Sequence, residues 1–227
     1  MRNFYLKENI QNLLSLWHCY GDVSKHQNLR IHGQWPHKVW HEPLLFDEPA
    51  NVIRGYKRDK PREKKGVGFD TKRKPDSNEA SVLVVMHKLL LDDVDIGDDN
   101  TIKILSSESE LDLWLSLGCA GFGYKIDKAP IARAFIDSRS KFYFILNEGE
   151  LVGTVLTWAQ GHDVGIHQMT ITQAGRGRGL AGKALLQLEK QARGSSAKSM
   201  SLQASKKGLK IYESLGFVPL GFLSSYL

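Results

Sequence analysis

A glycine-rich turn, QAGRGRGLAGK at residues 173–183, contains the residue types needed to bind an anion. Glycines such as Gly177 and Gly179 permit positive φ and let main-chain N–H groups approach a ligand closely. The turn precedes a predicted helix, whose N-terminus carries a partial positive charge. Since Arg176 and Arg178 add two guanidinium groups, we expect the turn to bind the diphosphate of a cofactor.

Two other phosphate-binding motifs fit these residues less well. Gly177, Gly179 and Gly182 satisfy GxGxxG, but this motif lies late in the chain. A dinucleotide site also needs an acidic residue at the end of the next strand, and that predicted strand ends near Gln203. The Walker loop requires Ser or Thr after Gly-Lys, where this chain has Ala184. Dinucleotide binding is therefore disfavoured, and nucleoside triphosphate chemistry is excluded.

A second motif, LQASKKGLKIYESLGFVPLG at residues 202–221, predicts a strand followed by a helix that carries Tyr212 and ends at Gly216. The RGRGLA sequence at 176–181 resembles the R/Q-x-x-G-x-G/A signature of the GNAT acyltransferases. The Tyr-Glu-Ser-Leu-Gly-Phe order at 212–217 resembles the later segment of the same family. Both motifs lie on the elements where the family has them, and the resemblance covers about residues 100–227.

This resemblance implies that acetyl-coenzyme A is the acyl donor and supplies the diphosphate. In the family, the pantetheine arm lies beside the strand before the signature, so the main chain of Met169 and Ile171 is expected to pair with it. Ser205 and Lys207, at the start of the later helix, are expected to complete the cofactor site. The N–H groups expected to bind the diphosphate belong to Arg176, Gly177, Arg178, Gly179, Leu180 and Ala181.

Acyl transfer to an amine needs an acid for the departing thiolate and a base for the attacking amine. Tyr212 matches the family tyrosine near the thioester sulfur, and a phenol with a pKa of about 10 is protonated at neutral pH. Strand alternation places His167 on the same face as Met169 and Ile171. The resemblance implies that His167 carries the amine proton away through water. Alternative bases in the flanking turns are Glu150, His162 and Asp163.

The leading hypothesis is an enzyme that transfers an acetyl group from acetyl-coenzyme A to a primary amine of a small molecule or peptide. Neither Cys19 nor Cys119 lies near the motifs, which favours direct attack in a ternary complex without an acyl-enzyme. Because the two central predicted strands contain no carboxylate, the fold could instead act as a coenzyme A-binding sensor or interaction module. A third hypothesis, nucleic-acid binding through residues 54–74, has only charge in its favour.

Composition indicates a folded protein: 41% of the 227 residues are hydrophobic and 25% are charged. No apolar run reaches the roughly 20 residues of a membrane helix, and Lys7 and Glu8 interrupt any export signal, so a cytoplasmic location is expected. Residues 54–74, with ten Lys/Arg and three Asp/Glu, account for the net charge of +6 and are typical of a solvated loop. We therefore expect neither nucleic acid nor membrane as a partner. The oligomeric state, including a homodimer, is left open.

From residue 100 onward, the hydrophobic pattern predicts the order β-α-α-β-β-β-α-β-α-β. Ser107 and Glu110 form a predicted capping box for a helix that Gly118 ends, and an amphipathic helix is predicted over 178–193. This order, with the resemblance, predicts an α+β fold in three layers. A mixed, mostly antiparallel sheet is flanked by helices, and the chain adds an N-terminal extension or small domain.

Residues 1–99 are harder to interpret. A helix is predicted at 8–17 and strands at 28–32 and 81–86, and one interpretation is a degenerate GNAT-like half domain. The acidic DDVDIGDDN stretch marks the predicted boundary with a GNAT acetyltransferase domain at 100–227. Among the tryptophans, Trp17 and Trp114 are predicted to lie in the core. Candidates for an aromatic wall around the acceptor are Trp35, Trp40 and Trp158.

Overall fold

The computed structural model describes residues 2–41, 65–70, 79–91 and 96–226. Most of the basic segment at 54–74, on which the nucleic-acid hypothesis depends, lies outside these ranges. Both cysteines are free thiols. In the ranges given, none of the helices is long and apolar enough to cross a membrane.

Five helices and eleven strands are defined in this part of the chain. The helices are α1 (Arg2–Cys19), α2 (Leu111–Phe122), α3 (Lys128–Phe135), α4 (Leu180–Gly194) and α5 (Leu209–Ser214). The first five strands are β1 (Val23–His26), β2 (Leu29–His32), β3 (Lys38–His41), β4 (Lys65–Asp70) and β5 (Glu79–Leu89). The other strands are β6 (Ile102–Ile104), β7 (Ser140–Asn147), β8 (Glu150–Gln160), β9 (Asp163–Ile171), β10 (Ser199–Ala204) and β11 (Val218–Tyr226). The predicted order of elements after residue 100 is confirmed.

All eleven strands belong to one sheet, in the order β1-β2-β3-β4-β11-β5-β10-β9-β8-β7-β6. Only the β3–β4 and β9–β10 pairs are parallel, so the sheet is mixed and mostly antiparallel, as predicted. The strands of the first hundred residues continue this sheet, because β5 lies between β11 and β10. The division into domains at 1–99 and 100–227 stays a prediction.

Helices cover both faces of the sheet, which produces the three predicted layers. Strand β7 shows how the two faces form, because its side chains alternate between two apolar clusters. Phe142 and Phe144 pack with α1, α2 and α3 on one face, whereas Tyr143 and Ile145 pack with α4 on the other. The face that holds α1 therefore buries part of the N-terminal region against the C-terminal strands.

The ends of α2 differ from the sequence prediction. Gly118 does not end the helix but is buried within it, and α2 continues to Phe122, where Gly123 with φ of 78° caps it. Glycine at position 121 lets α2 pack closely on β9, since a Cβ added there would lie 2.5 Å from the side chain of Thr170. The predicted Ser107–Glu110 capping box is also wrong, because Glu110 accepts its main-chain hydrogen bond from Ser106 at 2.8 Å.

Helix α1 is longer than the predicted span of 8–17, and its buried face is not purely apolar. Asn9 and Asn12 are fully buried among leucines. Asn9 donates to the Met86 carbonyl of β5 (2.7 Å), and Asn12 donates to the Trp158 carbonyl of β8 (3.0 Å). These amides satisfy sheet carbonyls under the helix, so they fix how α1 lies on the sheet.

The tryptophans divide between core and cavity differently from the sequence prediction. Trp17 and Trp114 belong to the core, as expected. Trp40 and Trp158 are wholly buried, and Trp158 donates from Nε1 to Ser15 at 3.2 Å. The expectation of an acceptor contact is therefore wrong for Trp40 and Trp158, whereas Trp35 lines the cavity described below, and so does one side of Trp17.

His87 of β5 is a buried histidine at the α1 side of the sheet. Its ring stacks on Tyr5 with centroids 4.4 Å apart, and within the described ranges neither ring nitrogen has a hydrogen-bond partner. Burial lowers the pKa of His87 from 6.5 to about 4. Between pH 6.5 and about pH 4, the unfolded chain therefore binds more protons at His87 than the folded protein does. His87 leaves the folded protein at its full stability above pH 6.5, and the free energy of unfolding falls as the pH falls below that value.

We predict that His87→Leu makes the folded protein less sensitive to acid. The difference in unfolding free energy between about pH 7 and pH 4 should shrink by about 3 kcal/mol, measured by urea denaturation at both pH values. Met86→Leu, a buried neighbour of similar volume without a titrating group, is the control for repacking. An acid dependence as steep in His87→Leu as in Met86→Leu would contradict this account.

Candidate active site

Strand β9 carries a bulge at the centre of the sheet. Thr154 of β8 lies opposite Thr170, but Leu156 lies opposite His167, so Gln168 and Met169 together face one residue of β8. Gln168 has a φ of 48°, in the left-handed region. A bulge bends its strand and redirects the side chains around it.

The bend opens a gap between β9 and β10. These strands pair from Ser199 opposite Asp163 only as far as Leu202 opposite Ile166. The last residues of β10, Gln203 and Ala204, pair with β5 on their other side. The end of β9 after Ile166 therefore has no partner strand on its β10 side within the described sheet, which is where an added extended segment would pair.

Main-chain groups at the end of β9 face this gap. The Thr172 N–H donates to the Val152 carbonyl at 2.8 Å, so the N–H and C=O of the preceding Ile171 point away from β8. The Ile171 carbonyl accepts a hydrogen bond from Arg176 Nε at 3.1 Å, and Arg176 Nη2 donates to the Gly121 carbonyl of α2 at 2.9 Å. The structure thus places the Arg176 side chain on carbonyls of β9 and α2, where it holds the turn in place.

The turn before α4 presents a run of free amides. Gly177 and Gly179 have φ of 77° and 72°, and Gly179 is the N-cap of α4. Within the described hydrogen bonds, the main-chain N–H groups of 177–182 have no acceptor in the protein, and the first helical bond runs from Lys183 to Gly179. Arg178 and Lys183 line an adjoining cleft of about 610 Å³. Asp99 also lines this cleft, 3.9 Å from Lys183. N–H groups at a helix N-terminus with cations nearby are typical of anion sites.

Tyr212 of α5 reaches across to the bulge of β9. Its hydroxyl lies 4.0 Å from the sulfur of Met169, and its ring packs edge-on against Phe217. Burial raises the pKa of Tyr212 to about 12, so the phenol is protonated throughout the neutral range. Tyr212 and Met169 both line a cavity that lies between the β9 bulge and the N-terminal part of the chain.

His167 is on the face opposite to the one predicted. It contacts Asn12 of α1, whereas Met169 and Ile171 pack with the α4 cluster, because the bulge at Gln168 breaks the strand alternation. Nε2 of His167 lies 2.9 Å from Asn12 Oδ1. Since the amide of Asn12 uses its Nδ2 to donate to Trp158, its oxygen accepts from Nε2, and the Nδ1 of His167 is an acceptor.

Among the four candidate bases, only His167 lines the cavity. Asp163 is buried at the opposite end of β9, where Ser199 and Ser201 donate to it, and burial raises its pKa to about 6. Glu150 is the first residue of β8 and His162 lies in the turn after β8, so both are away from the bulge. Burial lowers the pKa of His167 to about 3, so its imidazole is neutral at physiological pH.

The cavity beside Tyr212 has a volume of about 600 Å³ and is lined by residues from both parts of the chain. From the C-terminal part it is lined by the β9 bulge and by Ser205 and Tyr212. Lys207 is exposed in the turn before α5 and does not line it. The lining residues from the first part include Leu13, Leu16, Trp17, Tyr20, Trp35 and Lys38.

Three lining or supporting residues were not identified from the sequence: Asn12, Tyr20 and Gln168. An asparagine within the apolar stripe of a predicted helix was the available signal for Asn12, because buried amides need partners. No comparable signal marks Tyr20, which looks like one more apolar-face residue after Trp17. Gln168 became recognisable only through the bulge, whose position depends on pairing with β8.

Comparison with known proteins adds family and fold. Residues 111–217 match the family model described as Acetyltransferase (GNAT) family, and a search of curated proteins finds no match. The fold is similar to that of a GNAT-family protein from Novosphingobium aromaticivorans, with 16% identity and a TM-score of 0.60 over 93% of this chain and 94% of that chain. A functionally unknown conserved protein from Staphylococcus epidermidis has 11% identity and a TM-score of 0.55, over 90% of this chain and 92% of that chain.

The fold is also similar to that of Saccharomyces cerevisiae N-myristoyltransferase with bound myristoyl-coenzyme A, at 10% identity and a TM-score of 0.54 over 71% of this chain and 50% of that chain. These identities show a shared fold alone. The family match covers the free amides at the start of α4, the gap beside β9 and Tyr212. Acyl transfer from an acyl-coenzyme A is the chemistry that this match supports. Residues 111–217 are therefore a GNAT acetyltransferase domain.

Proposed function

We propose that this protein transfers an acetyl group from acetyl-coenzyme A to a primary amine by direct attack in a ternary complex. The observation that carries the proposal is the run of N–H groups at 177–182, which have no acceptor among the described residues and lie at the open end of the β9–β10 gap. A diphosphate on these amides would leave the rest of the cofactor to follow the gap toward Tyr212.

In the proposed reaction, the amine nitrogen attacks the thioester carbon and the carbon–sulfur bond breaks. Tyr212 donates its phenolic proton, or a hydrogen bond, to the departing sulfur. Neither thiol of the protein lines the cavity, and burial together with Asp137 raises the pKa of Cys19 to about 11. This supports direct transfer over an acyl-cysteine intermediate.

His167 is our proposed contact for the amine. With its Nε2 hydrogen held by Asn12, Nδ1 is the ring atom able to accept a hydrogen bond from the attacking group. Because burial lowers the pKa of His167 to about 3, the ring stays neutral and orients the amine through Nδ1, and the proton that the amine loses passes to water. Asn12 is a positioning residue, since it sets the tautomer of His167.

Acetyl-coenzyme A binding and thiol release together test the proposal. We expect calorimetry to detect acetyl-coenzyme A binding in the micromolar range typical of enzyme substrates, about 1 μM to 1 mM. Free thiol should appear when a primary amine is added and not with a tertiary amine of similar shape. Binding without thiol release from any primary amine would favour the alternative of a coenzyme A-binding sensor or interaction module.

A further inference from the structure

Two buried polar atoms of the cavity are unsatisfied. The hydroxyl of Tyr20 and the side-chain oxygen Oε1 of Gln168 have no hydrogen-bond partner among the described residues, and both side chains line the cavity. Tyr20 is 1% exposed. The Gln168 amide is a neighbour of the Tyr20 hydroxyl, but the pair does not reach hydrogen-bond geometry.

Buried polar atoms in folded proteins almost always have a partner, and leaving one unpaired costs free energy. Burial raises the pKa of Tyr20 far above that of a free phenol, so its oxygen stays a neutral hydroxyl that can both donate and accept. Gln168 Oε1 can only accept. A ligand that brings N–H donors to this corner of the cavity would satisfy both oxygens once rotation of the two side chains turns these atoms toward it.

The wall around these atoms is aromatic. Trp17 and Trp35 come from α1 and from the segment before β3, and the Tyr20 ring lies 5.3 Å from that of Trp35. Phe122 and Tyr124, at the end of α2, line the same cavity with stacked rings 5.3 Å apart. Such walls favour flat apolar groups, which bury large areas against rings.

Carboxylates are absent from the part of the wall that the structure describes. Among the lining residues in the described ranges, none is an aspartate or glutamate. Sites for acceptors with several positive charges need acidic partners, because a buried cation without one is costly. The composition of this wall therefore fits an acceptor with one amino group and an uncharged body.

We propose that the acceptor is an amine attached to an aromatic body, which packs against Trp17 and Trp35 while Gln168 Oε1 and the Tyr20 hydroxyl receive its N–H groups. This inference rests on the proposed function and deepens it. Of the residues that then select the acceptor, three lie in the first 41 residues and Gln168 lies in the bulge of β9, so the N-terminal part of the chain contributes most of the specificity.

The test compares acceptors and two tyrosine variants on the full chain. Thiol release with phenethylamine and tryptamine should exceed that with spermidine or free lysine at least about 10-fold in kcat/KM. Tyr20→Phe should raise the KM for phenethylamine about 10-fold and leave acetyl-coenzyme A affinity unchanged. The control is Tyr5→Phe in α1, because Tyr5 packs on His87 outside the cavity and its substitution should change neither quantity.

Calorimetry with phenethylamine on the coenzyme A-loaded protein separates this inference from the proposed function. Binding that weakens in Tyr20→Phe, without turnover of any amine, would support the acceptor site and contradict the acetyltransferase. Turnover of spermidine with no binding or turnover of phenethylamine would overturn the acceptor class while the acetyltransferase stands. If Tyr20→Phe and Tyr5→Phe behaved alike in both assays, the proposed acceptor class would also be overturned.

Discussion

Gly179→Val should weaken acetyl-coenzyme A binding at least about 100-fold, because the substitution changes the site where the diphosphate is proposed to bind. Gly179 has φ of 72°, and nothing lies within 4 Å of an added Cβ, so a side chain there would project into space that we assign to the ligand. Valine also strains the left-handed backbone and would turn the neighbouring N–H groups. Isothermal titration calorimetry measures the loss directly.

Gly161 offers a matched control for backbone strain. It lies in the turn between β8 and β9, with φ of 61° and equally open space around its Cβ position. Gly161→Val should therefore cost a similar free energy of unfolding, about 1–2 kcal/mol, while acetyl-coenzyme A affinity stays as in the native protein. Equal loss of affinity in both variants would show that general destabilisation, and not the amides of α4, explains the effect of Gly179→Val.

The two motifs on which the proposed cofactor site rests are short and local, so they can be recognised in the sequence. Gly179 and Gly216 have positive φ at the N-cap of α4 and after the end of α5, and glycine at such positions can be recognised without knowledge of the tertiary fold. Tyr212 lies on a helix that follows directly from its strand. Its approach to Met169 needed only the expected order of elements.

Features that depend on the register between paired strands could not be predicted. The bulge at Gln168 is defined by its register with β8, and it reverses the face of His167 relative to Met169. No single-strand pattern contains this information, because alternation assumes an unbroken ladder.

The residues on the proposed acceptor side of the cavity could not be predicted from the sequence for a similar reason. Tyr20 reaches the cavity only because α1 packs across the C-terminal strands, with Asn9 bonded to β5 and β10, and Asn12 to β8. The contacts of Gly121 with Thr170 and of Arg176 with Gly121 likewise join elements far apart in sequence. The proposed donor site can therefore be predicted from local motifs, whereas the proposed acceptor site depends on tertiary contacts.

Tyr212→Phe should lower kcat about 100-fold and leave the affinity for acetyl-coenzyme A nearly unchanged, because the variant keeps the ring but loses the proton proposed for the departing sulfur. Burial raises the pKa of Tyr212 to about 12, so ionisation of this group should not reduce the native rate below about pH 10. Steady-state thiol release from about pH 7 to pH 10 measures both effects.

Tyr143→Phe is the matched control, since burial also raises the pKa of Tyr143 to about 12 and its hydroxyl donates to Gln191 at 2.6 Å. Losing that hydrogen bond should cost about 1 kcal/mol of stability without changing kcat, because Tyr143 packs beneath α4 away from the cavity. An unchanged kcat in Tyr212→Phe would exclude the phenol as the acid. The proton for the departing thiolate would then have to come from solvent or from the amine nitrogen of the acceptor. That nitrogen becomes positively charged when it bonds to the carbon that releases the sulfur.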